Sequence, residues 1–93
     1  MSEHNWIPRS LGFCHHWEIQ VDQHHSVSVI DNGYGGEFGA YECAILRNGR
    51  LLTGDSNPKY EDWNYDDVCG WMTEDDVEAL VEELEAIEVW PHA

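Results

Sequence analysis

Histidines and a cysteine are the residues of this chain whose chemistry first suggests a site. Cys14, His15 and His16 are consecutive, and His24 and His25 form a second pair. Thiolate and imidazole are ligands that suit zinc. The chain lacks the C-x-x-C and H-x-x-x-H spacings of common zinc sites, and adjacent histidines on a strand point to opposite faces of the sheet. These five residues are candidate metal ligands, but we expect histidines that are solvated or bonded to the protein, with no bound metal or cofactor.

Three other patterns are too incomplete to define a site. Residues 55–57 begin like a calcium-binding loop, but a lysine and a tyrosine stand where a ligand and a glycine are required. The glycine-rich run 33–39 matches neither of the common phosphate-binding motifs. Cys43 or Cys69 could pair with a histidine as nucleophile and base, but such pairs are recognised by geometry. We therefore expect no enzymatic activity.

The strongest chemical signal is a surplus of carboxylates in the last third of the chain. The sequence has 19 acidic and 4 basic residues and a net charge of −15. Residues 60–93 include no Lys or Arg. This charge disfavours direct binding to nucleic acid or to an anionic membrane. It favours a positively charged protein surface as the partner, with a merely solvated acidic face as the alternative.

Aromatic residues alternate with these acids just before the C-terminal helix. We expect Trp71 to close the edge of the core, because large aromatic residues are mostly buried. Exposed aromatic residues ringed by charge mark protein interfaces, so Tyr60 and Trp63 are predicted to anchor a partner. The predicted partner-binding residues are Tyr60, Glu61, Asp62, Trp63, Asp66, Asp67, Glu74, Asp75, Glu78, Glu82 and Glu85.

The element that carries most of these acids is a helix predicted over residues 73–88. Thr73 is a good N-cap, and Asp76 completes a short capping box. Pro91 prevents any continuation. Acids near the helix end, and the like-charge pair of Glu78 and Glu82, each cost a few tenths of a kcal/mol. Acids at the start of the helix complement its dipole, but these later acids are not explained by helix stability. A single apolar stripe follows the helical period: Val77, Leu80, Val81, Leu84 and Ile87.

Alternating apolar and polar residues predict strands at about 16–22 and 26–31, and a third beginning near residue 41. Asn48-Gly49 predicts a two-residue hairpin that pairs Leu46 with Leu51 and Arg47 with Arg50. We expect a single domain over residues 1–93, with an irregular arm at 1–13. Its class is α+β, a small antiparallel sheet of three to four strands with the C-terminal amphipathic helix packed on it. The strand residues expected to meet the helix are Trp17, Ile19, Val21, Val27, Val29, Ile45, Leu51 and Leu52.

The expected cellular compartment is inferred from targeting and membrane-spanning segments that the sequence does not show. The first residues have neither the basic start nor the apolar segment of a signal peptide, and no run reaches transmembrane length. Cys14, Cys43 and Cys69 are odd in number and widely spaced, which favours reduced thiols. We expect a cytoplasmic protein.

The run DVCGWMTEDDV at residues 67–77 resembles small uncharacterised acidic proteins of actinobacterial phages. These proteins have a strand hairpin ending in R-x-G, an aspartate-rich link, a D-V-x-G-W/Y motif and a short acidic helix. The hairpin at 45–51, ILRNGRL, matches too. The resemblance covers residues 40–88 and implies a phage or prophage accessory protein, without indicating its chemistry.

Charge and resemblance together lead to an expected function. Adjacent carboxylates on a helix are about 5–6 Å apart, close to the spacing of successive nucleic-acid phosphates. We therefore expect an accessory protein that binds and inhibits a host protein in an infected or lysogenic bacterium. Its acidic surface would mimic nucleic acid against a basic nuclease, as in an anti-CRISPR or anti-restriction inhibitor. The alternatives are an antitoxin or immunity protein that blocks one toxin, a small metal-binding module and a structural phage component.

Overall fold

An antiparallel sheet of six strands carries one helix on a single face in the computed structural model of the protein. The structure describes residues 4–10, 15–31 and 39–91. The α+β class and the C-terminal helix on the sheet are confirmed, and the sheet has more strands than the three to four expected. The elements are β1 (Ile7–Ser10), β2 (His15–Gln20), β3 (His25–Ile30), β4 (Tyr41–Arg47), β5 (Arg50–Leu51), a 3₁₀ turn (Gly54–Ser56), β6 (Val68–Met72) and α1 (Glu74–Glu85).

The strands follow one another across the sheet in the order β1-β2-β3-β4-β5, and β6 also pairs with β4. All neighbouring strands are antiparallel. The hairpin after β4 pairs Leu46 with Leu51 and Arg47 with Arg50, as predicted. Asn48 and Gly49 have positive φ angles of 51° and 80°, the conformation that such tight turns require.

Two strands were not predicted from the sequence. Residues 7–10, within the arm expected to be irregular, form β1 at the sheet edge, where Pro8 is tolerated because an edge strand need not donate every N–H. Residues 11–13 of that arm lie outside the described residues. Strand β6 pairs Met72 with Tyr41 and Cys69 with Cys43, so it contains one more residue than β4 between the same two pairs. Because of this bulge, the residues of β6 do not alternate between apolar and polar, and the strand could not be predicted from such an alternation.

The core lies between the helix and one face of the sheet. Val27, Val29 and Ile45 are fully buried opposite Val77 and Val81 of α1, as the two apolar patterns predicted. Leu52 is buried, whereas the expectation of a buried Leu51 was wrong, since its side chain is 45% exposed. Consecutive strand residues point to opposite faces, so only one of the two leucines can reach the core.

The positions at which α1 begins and ends are explained by interactions between residues close in the sequence. The N–H of Asp76 donates to Thr73 Oγ1 at 3.1 Å, and the N–H of Thr73 donates to Asp76 Oδ2 at 2.9 Å, which confirms the capping box. The helix ends at Glu85, three residues before the predicted end, followed by a single turn through Ala86 and Ile87. The last turn carries acids and no basic residue, a combination that the helix dipole disfavours.

Candidate functional site

The apolar stripe of α1 is flanked by two pairs of acids. Glu78 and Glu85 lie on one flank, and Asp76 and Glu83 lie on the other, each pair seven residues and therefore about two helical turns apart. The first flank is covered by the N-terminal segment. The second flank borders a surface groove.

Glu78 was predicted to bind a partner, but its side chain is only 10% exposed and is bonded inside the protein. The backbone N–H of His4 donates to it at 3.1 Å, the His4 ring lies within hydrogen-bond distance, and the indole N–H of Trp6 also donates to it. The other ring nitrogen of His4 is 2.9 Å from Glu85. Glu78 therefore fixes the N-terminal segment, and Glu85 is exposed but bonded to His4.

Two of the remaining predicted acids, Asp66 and Asp67, accept hydrogen bonds from the backbone. Asp67 is half-buried and accepts a hydrogen bond from the N–H of Gly54 at 2.9 Å, and Asp66 accepts one from the N–H of Val68 at 3.2 Å. Both therefore hold the chain that leads into β6. The exposed acids of this face are Glu61, Asp62, Asp66, Glu74, Asp75, Asp76, Glu82, Glu83 and Glu85.

Lys59 joins the acidic loop to the helix. Its ammonium lies 2.9 Å from Asp62 and 2.8 Å from Glu83, and its side chain is only 15% exposed. Burial lowers the pKa of Lys59, but the hydrogen bonds and charges of Glu83 and Asp62 outweigh that effect and leave the pKa above its ordinary value. The sequence analysis did not predict this role. The lysine stays charged and neutralises part of the acidic face.

The most exposed aromatic residues are not the two that were predicted to anchor a partner. Tyr60 and Trp63 are half-buried, and Trp63 packs against the core. The exposed aromatic residues are Tyr65, at 67%, and Trp71, at 61%, so the expectation that Trp71 closes the core edge was wrong.

The bulge in β6 explains why Trp71 is exposed. Trp71 has a positive φ of 60°, which a bulky residue rarely adopts and which costs roughly 1–2 kcal/mol. The extra residue in β6 reverses the local alternation and turns the indole away from the core. Gly70 is the one sequence signal for the bulge, since a glycine inside a strand often marks one, but without an alternating pattern around it the strand itself was not recognised.

A groove lies between β6 and the second flank of α1. Its volume is about 330 Å³, and the side chains that define it are Lys59, Trp63, Trp71, Asp76, Ala79 and Glu83. Two tryptophans and two helix acids therefore line one open cleft. Ala79, between the two acids on the helix surface, leaves room that a larger side chain would fill.

The described histidines are not brought together as a metal site. His15 and His16 begin β2, whereas His24 and His25 precede or begin β3, at the opposite end of the antiparallel pair. His15 bonds to Asp31 at 2.7 Å. Within residues 4–10, 15–31 and 39–91 no three His, Cys, Asp or Glu side chains are grouped to hold a metal ion. Cys14, the remaining candidate ligand, and residues 33–38 of the glycine-rich run lie outside the described residues.

The other three histidines are bonded within the protein. His16 lies 2.8 Å from the hydroxyl of Ser28, and His24 lies 3.3 Å from the side chain of Asn48. Arg47 Nε donates to His25 Nε2 at 2.9 Å, so the opposite nitrogen, Nδ1, carries the proton and donates to Asp22.

The two described cysteines face each other across β4 and β6 and are free thiols. Burial, followed by the charges of Cys69 and Glu42, raises the pKa of the Cys43 thiol far above its ordinary value. Burial, and then the charge of Asp66, also raises the pKa of Cys69. Both thiols are therefore protonated near neutral pH and are poor nucleophiles.

Comparisons with protein-family models, with curated proteins and with solved structures found no match for this chain. No helix among the described residues is both long enough and apolar enough to cross a membrane. The resemblance to phage proteins stays a prediction.

Proposed function

We propose that this protein binds a basic surface on another protein through the face formed by α1, by β6 and by the loop that leads into β6, residues 59–67. The observation that carries the proposal is the distribution of acids on this face. Glu61, Glu74 and Asp75 are exposed, and none of them forms an ion pair with a cation among the described residues. Glu74 and Asp75 complement the helix dipole from the first turn of α1, but their charge and that of Glu61 still face solvent. These exposed charges form an anionic field that attracts a positively charged partner.

Two exposed aromatic residues in the same face favour a role in protein binding over a role in solubility alone. Tyr65 and Trp71 are each more than half exposed, and both have positive φ angles. Trp and Tyr are enriched among residues that contribute most to protein binding, and strained backbone tends to occur at functional sites. A face that served only to keep the protein in solution would gain nothing from a strained, exposed tryptophan.

The partner in this proposal is a host protein whose surface normally binds nucleic acid. The exposed acids follow α1 and its preceding loop, so they could occupy the lysines and arginines that otherwise contact backbone phosphates. The protein would then inhibit a cytoplasmic nuclease of a bacterial host, as a phage-type anti-CRISPR or anti-restriction inhibitor does. An antitoxin or immunity protein would use the same face against its own toxin.

The test is a binding experiment with matched charge reversals. Protein immobilised on resin is incubated with bacterial lysate at low salt, and captured proteins are eluted with increasing salt, identified and purified. The dissociation constant of the purified partner is then measured against Glu61→Lys and Asp75→Lys. We expect each reversal to weaken binding by about fivefold or more, and binding to fall steeply between about 50 and 200 mM salt.

Glu18→Lys is the control on the other face of the sheet. Because it also breaks the 3.3 Å ion pair of Glu18 with Arg9, its thermal melting is compared with that of the wild type. Glu18 lies between Trp17 and Ile19 on β2, so its side chain points to the sheet face opposite the helix. This reversal changes the net charge equally and should leave affinity nearly unchanged. A short DNA duplex should compete with the protein for the partner. Equal effects of Glu18→Lys and Glu61→Lys, or affinity that does not depend on salt, would disprove the proposal.

A further inference from the structure

The groove between β6 and α1 differs chemically along its length. At one end, the Glu83 carboxylate already holds the ammonium of Lys59 at 2.8 Å. At the other end, Asp76 lies on the same helix flank, two turns toward the N-terminus, and forms no ion pair with a cation among the described residues. The fold therefore fills one acidic end of the groove with its own cation and leaves the other end open.

The open end is organised before any ligand binds. The carboxylate of Asp76 is oriented by the N–H of Thr73, which donates to Oδ2 at 2.9 Å. The bulge in β6 holds Trp71 at the groove, and the residue is 61% exposed. A fixed carboxylate and a held indole lose little conformational entropy on binding, which favours affinity.

We propose that this end of the groove receives one arginine side chain of the partner, with its guanidinium against Trp71 and bonded to Asp76. This inference rests on the proposed function, because it names the residue type through which the basic partner is held. Lys59 provides an example within the protein: its ammonium lies between Asp62 and Glu83, and Glu83 lines the same groove.

Arginine fits this chemistry better than lysine or an apolar side chain. A guanidinium is planar and weakly hydrated, so it can stack on an indole and donate to a carboxylate at the same time. An ammonium is compact and strongly hydrated, and it gains less from the indole face. An apolar side chain would bury Asp76 without a partner for its charge, which is costly.

The experiment compares oligoarginine and oligolysine peptides of equal length by fluorescence anisotropy at low salt. Wild-type protein should bind oligoarginine more tightly than oligolysine. Trp71→Ala should weaken oligoarginine binding by about tenfold or more and remove the preference, because exposed Trp anchors contribute on that scale. The indole N–H resonance of Trp71 should shift with oligoarginine and much less with oligolysine.

Four further variants separate the groove from the general acidic field. Tyr65→Ala removes another exposed aromatic residue at positive φ that lies outside the groove, and it should keep the preference. Asp76→Asn should weaken oligoarginine binding more than Glu88→Gln, although each removes one charge from an exposed position. Ala79→Leu fills the groove without removing any binding group and should also remove the preference.

The outcomes distinguish this inference from the proposed function. Salt-dependent binding of both peptides with equal affinity, or an unchanged preference in Trp71→Ala and Ala79→Leu, would overturn the arginine site and leave the anionic face intact. Failure of both peptides to bind at low salt would overturn the anionic face itself, and the arginine site with it.

Discussion

His4 and Glu78 are 74 residues apart in the chain and bonded to each other in the fold, by both the backbone N–H and the ring of the histidine. Trp6 adds a third donor to the same carboxylate and packs edge-on against Trp17 and Tyr41, at centroid distances of 5.8 and 5.4 Å. One carboxylate of α1 thus fastens the N-terminal segment to the helix. The acidic helix has a structural flank as well as a surface that faces solvent.

The attachment of the N-terminal segment should depend on pH. Burial lowers the pKa of His4, but its hydrogen bonds to Glu78 and Glu85, and their charges, outweigh burial and raise the pKa above the ordinary value of 6.5. A raised folded-state pKa contributes stability that is complete below 6.5 and is lost as pH rises through the folded-state value. The free energy of unfolding of wild type minus that of His4→Ala should therefore be larger at mildly acidic pH than in alkaline solution. Urea titrations of both proteins at each pH measure it, and a difference that grows with pH would contradict the assignment.

Removing the charge of Glu78 should destabilise the fold more than removing that of an exposed acid. Glu78→Gln weakens three hydrogen bonds at a buried position, and we expect a loss of about 1–3 kcal/mol in the free energy of unfolding. Glu88→Gln, at an exposed position, should change it by less than about 0.5 kcal/mol. A double-mutant cycle with His4→Ala should give a coupling energy between about 0.5 and 3 kcal/mol. Additive effects would show that the two side chains do not interact in solution.

The C-terminal tail should be essential for stability. The rings of Trp90 and His25 are stacked with centroids 3.7 Å apart and planes 3° from parallel, and Trp90 is 7% exposed. Trp90→Ala should lower the free energy of unfolding by about 3–5 kcal/mol, since it empties a large buried volume. The neighbouring Val89 is 85% exposed, and Val89→Ala should have almost no effect. Equal, small effects of both variants in thermal melting would mean that the tail does not pack as described.

Cys43 should react with alkylating reagents only when the protein unfolds. Its thiol is fully buried and its pKa is raised, so very little accessible thiolate exists near neutral pH. Cys69 is half-buried with a raised pKa and should react slowly in the folded state. Peptide-level mass spectrometry after a pulse of N-ethylmaleimide, with and without urea, measures each rate. Similar labelling of Cys43 in native and urea-unfolded protein would contradict the structure.

The elements that were predicted correctly depend on interactions between residues close in the chain. Thr73 and Asp76 bond across one helical turn, and Asn48-Gly49 adopts the positive φ angles that only a few residue types allow. The two unpredicted strands lack such signals. Pro8 argues against a strand unless the strand lies at an edge, and the bulge at Trp71 interrupts the alternation by which β6 would have been recognised. Edge position and bulges depend on which strands become neighbours, and that is decided by pairing across the whole chain.

The sequence by itself determined that this protein has a capped amphipathic helix, a tight hairpin and an acidic final third, because charge and local periodicity are properties of neighbouring residues. The tertiary structure alone decided which acids face outward. Glu78 and Asp76 are both acids at the margins of the same apolar stripe, yet Glu78 is buried because His4 and Trp6 bring donors to it from the other end of the chain. Asp76 lines an open groove together with Trp71. The groove remains open because a bulge in β6 turns the indole of Trp71 away from the core. A carboxylate is buried only where hydrogen-bond donors offset its loss of hydration. Here the donors come from residues far away in the sequence, so the local sequence around each acid does not predict which one is buried.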